Sequence, residues 1–428
     1  MSVTTTNFQG ETGGNVLLTP DVIAREALMI LEGNILAPSV MKTSAAAEWA
    51  GSKVGDTVRV RRPAFFGVDD YSPGTAHATT IKVQDAQESS VDLKIEHHYD
   101  VSFEVSSKEL TLNMDDFSDR LLKPAMSALS AKIEKYALSK IEHLGILAES
   151  TALTAFTAHS SMAEMSRIVQ QLNIHKVPQQ NRKMIISPVA QTEIYTIENF
   201  VQAQMSGDAR SPVQDALLGR FMGMDMMMAL DLPTHSVGTF LRADGEDTCA
   251  IDVTNGYAEG TTSVVLKTLP NVTTIIGEGD TLRIGYADGV TRDHRVAANA
   301  TIASSAVAGG VTISPGLWGC DADAVDGGPP LVVLDDAVVE VVGGTSAITS
   351  YTVGGVFVPE AFQLVFVPQP APMGPGTSAA TVSYNGMSLR VLQTFDHIKK
   401  RDLISVDAMV GCACVDARLG ARLPSTGG

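Results

Sequence analysis

From Val91 to Val105 the chain alternates without a break. Val91, Leu93, Ile95, His97, Tyr99, Val101, Phe103 and Val105 are apolar or carry a ring, while Asp92, Lys94, Glu96, His98, Asp100, Ser102 and Glu104 between them are polar. A two-residue period puts the two sets on opposite faces of a β-strand. At about 3.3 Å per residue such a strand would span roughly 50 Å, against about five or six residues for an ordinary one. A compact core does not need so long an element. The pattern therefore predicts an extended arm whose apolar face is covered by something else, with another copy of the chain as the foremost occupant. Upstream, Thr57 to Arg62 carries Val58 and Val60 in the same alternation, a Pro/Gly/Asp-rich crossing follows, and Thr79 to Val83 is a further strand pattern. Residues 51–106 together read as a long antiparallel loop with a flexible tip.

Helical periods frame this loop. Residues 1–20 are polar and rich in Gly and Thr, an arm that ends where Pro20-Asp21 opens a helical pattern through Val22, Ile23, Ala27, Ile30 and Leu31 to Gly33. Beyond the loop, Phe117, Leu121, Ala125, Leu129, Ile133, Ala137, Ile141 and Leu144 share one helical face, with Lys132, Lys135, Lys140 and Glu142 on the other. This predicts a helix of about thirty residues and ~45 Å, kinked or begun at Pro124. Ala163–Leu172 and Val189–Phe200 then read as helices around an apolar strand at Met184–Ile186. From residue 235 the texture changes to Thr, Val, Gly and Asp with closely spaced turn signals such as Asn255-Gly256, Asp288-Gly289 and Gly309-Gly310, an all-β module inserted into an α/β host. The chain returns to strands at Val356–Val367 and Thr381–Val415. The expected organisation is an arm and short helix (1–50), the extended loop (51–106), the long helix (107–150), an α/β body (151–234), the β-module (235–355) and C-terminal strands completing the body (356–428), an α+β chain overall.

Composition adds boundaries. A chain of 428 residues that is 44% hydrophobic can bury a sizeable core. It contains no apolar run of about eighteen residues and no secretory pattern at its start, so a soluble protein without membrane contact is expected. The four cysteines are too few for a disulfide framework. A net charge of −17 argues against a protein that grips nucleic acid, which takes clustered Lys and Arg. The charge is uneven: residues 235–355 hold fifteen acidic and five basic residues, whereas from Thr381 onward six basic residues outnumber four acidic ones. Segments of opposite sign can attract one another between subunits.

Candidate chemistry is sparse. The sequence has no G-x-S-x-G, Walker A, H-E-x-x-H or G-x-G-x-x-G signature, and no enzyme, metal or cofactor is expected. His97 and His98 point to opposite faces of their strand and cannot converge on one metal. Cys412 and Cys414 share a strand face but have no second pair, and read as small apolar residues. The acidic turn Asp321–Gly327 lacks the terminal Glu of a calcium loop. The methionines of Met222 to Met228 read as adaptable filler on a buried strand.

Three passages carry a resemblance. Leu218-Gly219-Arg220-Phe221-Met222-Gly223-Met224-Asp225-Met226, running to Leu230-Asp231-Leu232-Pro233, resembles the glycine, apolar strand and Leu-Pro ending of tailed-phage major capsid proteins of the Hong Kong 97-like fold, with methionines in place of the usual β-branched residues. Gly277-Glu278-Gly279-Asp280-Thr281-Leu282-Arg283-Ile284-Gly285, with Val311-Thr312-Ile313-Ser314-Pro315, is similar to the inserted β-domain of the phage P-22 group, and Ser388-Leu389-Arg390-Val391 with Asp396, Arg401 and Asp402 to its C-terminal strands. The resemblance implies an N-arm, an extended E-loop hairpin, a long spine helix and an inserted antiparallel all-β domain. It implies self-assembly into hexamers and pentamers around double-stranded DNA, in a virion built in the host cytoplasm with scaffolding, portal and decoration proteins as partners. Arg59, Arg61, Arg62, Val91, Leu93 and Ile95 on the loop, and Asp244, Glu246 and Asp247 on the module, are then the expected subunit-contact residues. The competing expectation is a phage- or surface-associated binding protein whose β-module takes a receptor or glycan.

Overall fold

The computed structural model describes residues 20–43, 57–62, 90–106, 118–148, 161–197, 219–240, 248–253, 256–267, 269, 274–303, 306–307, 310–318, 331–342, 350–372, 377–399 and 401–425. The chain is a strand-rich α+β protein. Helix α1 (Pro20–Asn34) starts on a proline, whose missing N–H costs nothing in a first turn, and buries Ile23, Ala24, Ala27, Leu28 and Leu31 at helical spacing. The short α2 (Ala37–Val40) follows. Strands β1 (Thr57–Arg61) and β2 (Ser90–Lys94) form an antiparallel pair, and β3 (His97–Ser106) comes next.

The break between β2 and β3 corrects the expected single 50 Å strand. Ile95 and Glu96 lie outside both strands. Glu96 is anchored sideways, accepting from Tyr136 Oη at 2.7 Å and Lys140 Nζ at 2.9 Å. Part of the apolar face is covered within the chain itself. Val105 is buried in the main core, with Tyr99, Val101 and Phe103 packed against it, and Leu93 is covered by Val58 and Val365 of the same chain.

The long helical run is continuous from Ser118 to His143. A π-turn (Ser118–Leu122) leads into α3 (Lys123–Ser139) and a 3-10 turn (Lys140–His143) closes it. Pro124 sits in the first turn of α3, so it begins the α-helix rather than kinking it. Then come β4 (Ile146–Leu147), α4 (Met162–Ile174), β5 (Arg182–Ile186), α5 (Pro188–Ile194), β6 (Arg220–Phe221), β7 (Met224–Met228) and β8 (Thr234–Ser236). Ser187 caps α5 by accepting from Ala190 N at 3.1 Å. The methionine strand buries Met224 and Met226 on one face, leaves Asp225 and Met227 half-buried on the other, and exposes Met228 at its end.

Twelve short strands follow: β9 (Thr248–Ile251), β10 (Tyr257–Ala258), β11 (Ser263–Val264), β12 (Leu266–Lys267), β13 (Thr274–Ile276), β14 (Thr281–Gly285), β15 (Thr291–Val296), β16 (Ala300–Ala303), β17 (Ala306–Val307), β18 (Val311–Ser314), β19 (Leu331–Val333) and β20 (Val338–Val342). Seven of them make one sheet in the order β11-β18-β15-β14-β20-β9-β12, and β13-β16-β17 and β10-β19 make two smaller ones. Their apolar residues, from Phe240 to Val341, form a separate hydrophobic cluster.

The C-terminal part is β21 (Ser350–Phe357), β22 (Phe362–Val367), β23 (Thr377–Tyr384), β24 (Met387–Asp396), β25 (Arg401–Cys414) and β26 (Gly420–Ser425). It returns to both body sheets. One, ordered β4-β26-β21-β5-β7-β6 with β8 also on β21, packs against α4 and α5. The other is ordered β22-β25-β24-β23, with β3 on the opposite edge of β25, and buries one face under α1 and α3. Residues 350–355, expected in the module, belong to β21 and hence to the first of these sheets. Among the described residues no helix is long and apolar enough to cross a membrane.

Candidate interaction surfaces

The β1–β2 hairpin has a covered face and an open one. Val58 and Leu93 are paired across the strands, and Val60 faces Val91. The covered side packs on Val365, with Val60, Ile95, Val367 and Ala413 around it. Gly411 permits the approach: a Cβ there would lie 2.4 Å from the Lys94 carbonyl oxygen. Arg59 and Arg61 occupy the open face two residues apart. Arg59 Nε meets Asp92 Oδ1 at 3.2 Å, directly across the pair, with both side chains mostly in solvent. Arg62 leaves this group, its Nε donating to the Val415 carbonyl. The three arginines expected to act together are therefore two outward cations and one that holds the hairpin down. Among the sequence-expected apolar contacts, Leu93 is buried within the chain while Val91 and Ile95 are half-buried.

Arg62 also lines a cleft of about 240 Å³ with Lys94, Glu96, Lys140, His143 and Cys412. Burial pushes the Glu96 carboxyl up, but hydrogen bonds from Lys140 and Tyr136 outweigh it and hold the group below the usual carboxylate range. His143 is brought down to about 4 by burial and by the nearby Arg295 and Lys140 cations, so it is neutral at pH 7. Burial pushes the Cys412 thiol up to about 12, which makes it an inert core group. His97 packs edge-on to Tyr136 at 4.5 Å, and His98 Nε2 lies 3.1 Å from Asp407 Oδ2. Among the described residues no group of three or more His, Cys, Asp or Glu is arranged to hold a metal ion. Asp244, Glu246 and Asp247, the Thr79–Val83 strand and the Asp321–Gly327 turn lie outside the described residues.

Sequence reasoning missed the seam between the β-module and the body. Arg422, on β26 and fully buried, donates to the Gly279 carbonyl and to Thr281 Oγ1. Asp280 accepts from Gly277 N at 2.6 Å and Gly238 N at 3.1 Å through Oδ2, and its Oδ1 lies 3.0 Å from His235 Nε2. Gly279 has φ +94, and a Cβ there would lie 2.6 Å from the His235 ring. Only glycine serves this turn on both counts. Asp293 Oδ2 accepts from Leu147 N at 3.2 Å, and its Oδ1 pairs with Arg283 Nε at 2.9 Å. Two guanidinium groups approach the Trp318 ring, Arg292 at 5.8 Å and Arg418 at 5.9 Å from its centre. Only Gly277–Asp280, as a turn, gave a signal; nothing in the spacing of the other residues marks them as a group.

No known family matches the sequence, and no curated protein does. The chain is similar to several solved structures. For a structure described as Mycobacterium phage Che8 the TM-score is 0.46 at 11% identity, with 98% of each chain covered. For the capsid of Ralstonia phage GP4 it is 0.46 at 9% identity, covering 99% of this chain and 97% of that one. For the capsid of the cyanophage P-SCSP1u it is 0.43 at 10% identity, covering 88% and 85%.

Proposed function

We propose that this chain is the coat subunit of a tailed-phage shell of the Hong Kong 97-like kind, assembling with copies of itself into hexamers and pentamers around double-stranded DNA. The observation that carries this reading is the order in which the chain builds its parts. Helix α1 comes first, then the β1–β2 hairpin, then the 26-residue helical run from Ser118 to His143 laid on a sheet finished only by β22–β25, then the second sheet with α4 and α5, and last the C-terminal return to both sheets. The twelve strands between β8 and β21, with their own hydrophobic cluster, are the inserted β-domain of this reading.

The physics of a container agrees with it. A shell must enclose its genome and release it, which suits a chain of charge −17 that neutralises few phosphates. Its function would rest on many modest contacts between copies rather than on a catalytic centre. Arg59 and Arg61 on the hairpin, and Asp244, Glu246 and Asp247 on the module, are proposed to meet charges of neighbouring copies. Scaffolding, portal and decoration proteins are the further partners of the reading, with assembly in the host cytoplasm. Sedimentation and negative-stain microscopy of the expressed chain, alone and with a scaffold-type partner, test it. Uniform shells, spirals or capsomer rings are expected; a small species under both conditions would overturn the reading.

A further inference from the structure

The hairpin joining β24 to β25 ends in a tip that exposes apolar side chains in three directions. Asp396 Oδ1 accepts from Ile398 N at 2.9 Å and Lys399 N at 3.2 Å, which fixes the turn. Ile398 at the apex is 82% exposed, Phe395 47% and Leu403 46%. Phe395 and Leu403 lie on opposite faces, since Phe395 pairs with Asp402 and the next pair is Thr394 with Leu403. A sheet end that only capped its own core would show apolar groups on one face. Apolar groups on both faces and at the apex suit a tip enclosed on all sides. His397 and Lys399 beside it are also exposed.

A receiving site exists on the same chain, but out of the tip's own reach. Between α1 and the far end of β23 runs a groove of about 630 Å³. Its walls include Leu28, Met29, Val382 and Tyr384, with Met29 72% and Tyr384 62% exposed. Asp21 and Glu32 outnumber Arg25 along it, a charge opposite to that of the exposed Lys399 at the tip. Tyr384 pairs with Met387 and Val382 with Leu389, whereas the tip follows Asp396. Nine residues of strand, about 30 Å, separate Leu389 from Ile398, so a tip cannot fold back into its own groove.

We propose that the β24–β25 tip of one copy seats in the α1–β23 groove of the next. Plug and socket are different surfaces at opposite ends of one sheet, so the contact is head-to-tail, and repeating it generates a ring or an open array rather than a closed pair. The need for many copies rests on the coat reading; the complementarity of tip and groove stands on the residues above.

The test uses the full chain with Ile398→Cys and Met29→Cys combined, treated with a mild oxidant after assembly, and both single variants as controls for the native cysteines. A disulfide-linked ladder of dimers and higher species on a non-reducing gel, absent from both single variants, is expected. Particles or capsomers without a ladder would overturn the contact and leave the coat reading standing. A ladder from a chain that never forms particles would support the contact and overturn the coat reading; neither ladder nor particles would overturn both. Ile398→Asp provides a second arm. At so exposed a position it should leave the circular dichroism spectrum and melting temperature unchanged while reducing assembled material at least tenfold, and wild-type assembly by that variant would overturn the proposal.

Discussion

His235 Nε2 lies 3.0 Å from Asp280 Oδ1, a buried pair that ties the strand entering the β-module to a turn inside it. The other oxygen of the same carboxylate satisfies the backbone N–H groups of Gly238 and Gly277. One side chain thus serves three donors, two of them buried and that of Gly238 half-buried. Asp280→Ala would strand them all, and a loss of about 3 kcal/mol is expected, since each unsatisfied buried group costs about 1–3 kcal/mol and relaxation recovers part of it. Asp280→Asn keeps the shape and one acceptor oxygen and should cost less. Urea unfolding of the two variants beside the wild type checks the order; an unchanged midpoint for Asp280→Ala would show that the turn is held by packing alone.

Arg422 acts from the other side of this turn. Its buried guanidinium bonds Gly279 O and Thr281 Oγ1, fastening the last strand of the body to the module. Removing the guanidinium leaves two buried acceptors unpaired at about 1–3 kcal/mol each and opens a cavity, whereas a well-packed apolar replacement fills that space and recovers part of the loss. Arg422→Ala is therefore expected to show the whole of this loss and Arg422→Met clearly less. Denaturant midpoints measure both, and equal losses would mean that hydrogen-bond geometry, rather than filled volume, governs the seam.

Acid should loosen the module through His294. The ring is buried, with Nδ1 2.9 Å from the Pro315 carbonyl oxygen and Nε2 2.8 Å from Tyr286 Oη, so the neutral form donates from Nδ1 and accepts from the tyrosine. Burial holds its pKa down at about 4. A histidine whose folded value lies below its unfolded value of about 6.5 stabilises fully above 6.5, and the contribution drains away as pH falls toward 4, because only the unfolded chain takes up the proton in that window. The loss amounts to roughly 3 kcal/mol for a shift of this size. Urea midpoints between pH 7 and 4.5 should fall for the wild type and fall less steeply for His294→Gln; parallel curves would remove His294 from the account.

The elements most legible in the sequence were those with one period and one buried face. Ile23, Ala27 and Leu31 gave α1, and Leu129, Ile133 and Ala137 gave α3. The dense turn signals of the module correspond to short strands around a separate core. The break at Ile95–Glu96 was illegible because the two-residue period runs straight through it. Tyr136 and Lys140, some forty residues on, draw Glu96 sideways, and Gly411, more than three hundred residues on, makes room for β2. Local pattern does not carry such long-range terms. The seam was hidden for a related reason: Arg422 and His235 have no mutual spacing in the chain, and only the folded sheets bring both to the Gly277–Thr281 turn.

Arg59 and Arg61 separate stability from assembly. Both lie on the open face of the hairpin, and the Arg59–Asp92 pair is mostly solvated, so its contribution to folding is about 0–1 kcal/mol. Reversing both charges (Arg59→Glu with Arg61→Glu) places a second carboxylate opposite Asp92 at a solvated position and gives up the contacts of exposed Arg61 as well, each exposed pair being worth about 0–1 kcal/mol, so the unfolding midpoint should shift little. If the hairpin meets an acidic neighbour, the same change turns attraction into repulsion, and screening by salt offers a second handle because the Debye length falls from about 10 Å at 0.1 M to about 3 Å at 1 M. The double variant is thus expected to fold normally, to yield few or no particles in 0.1 M salt, and to recover part of the yield at 1 M, where the repulsion is screened. Sedimentation profiles at the two salt concentrations measure this directly. Wild-type particle yield from the reversed hairpin at 0.1 M salt would show that the two arginines only solvate the surface.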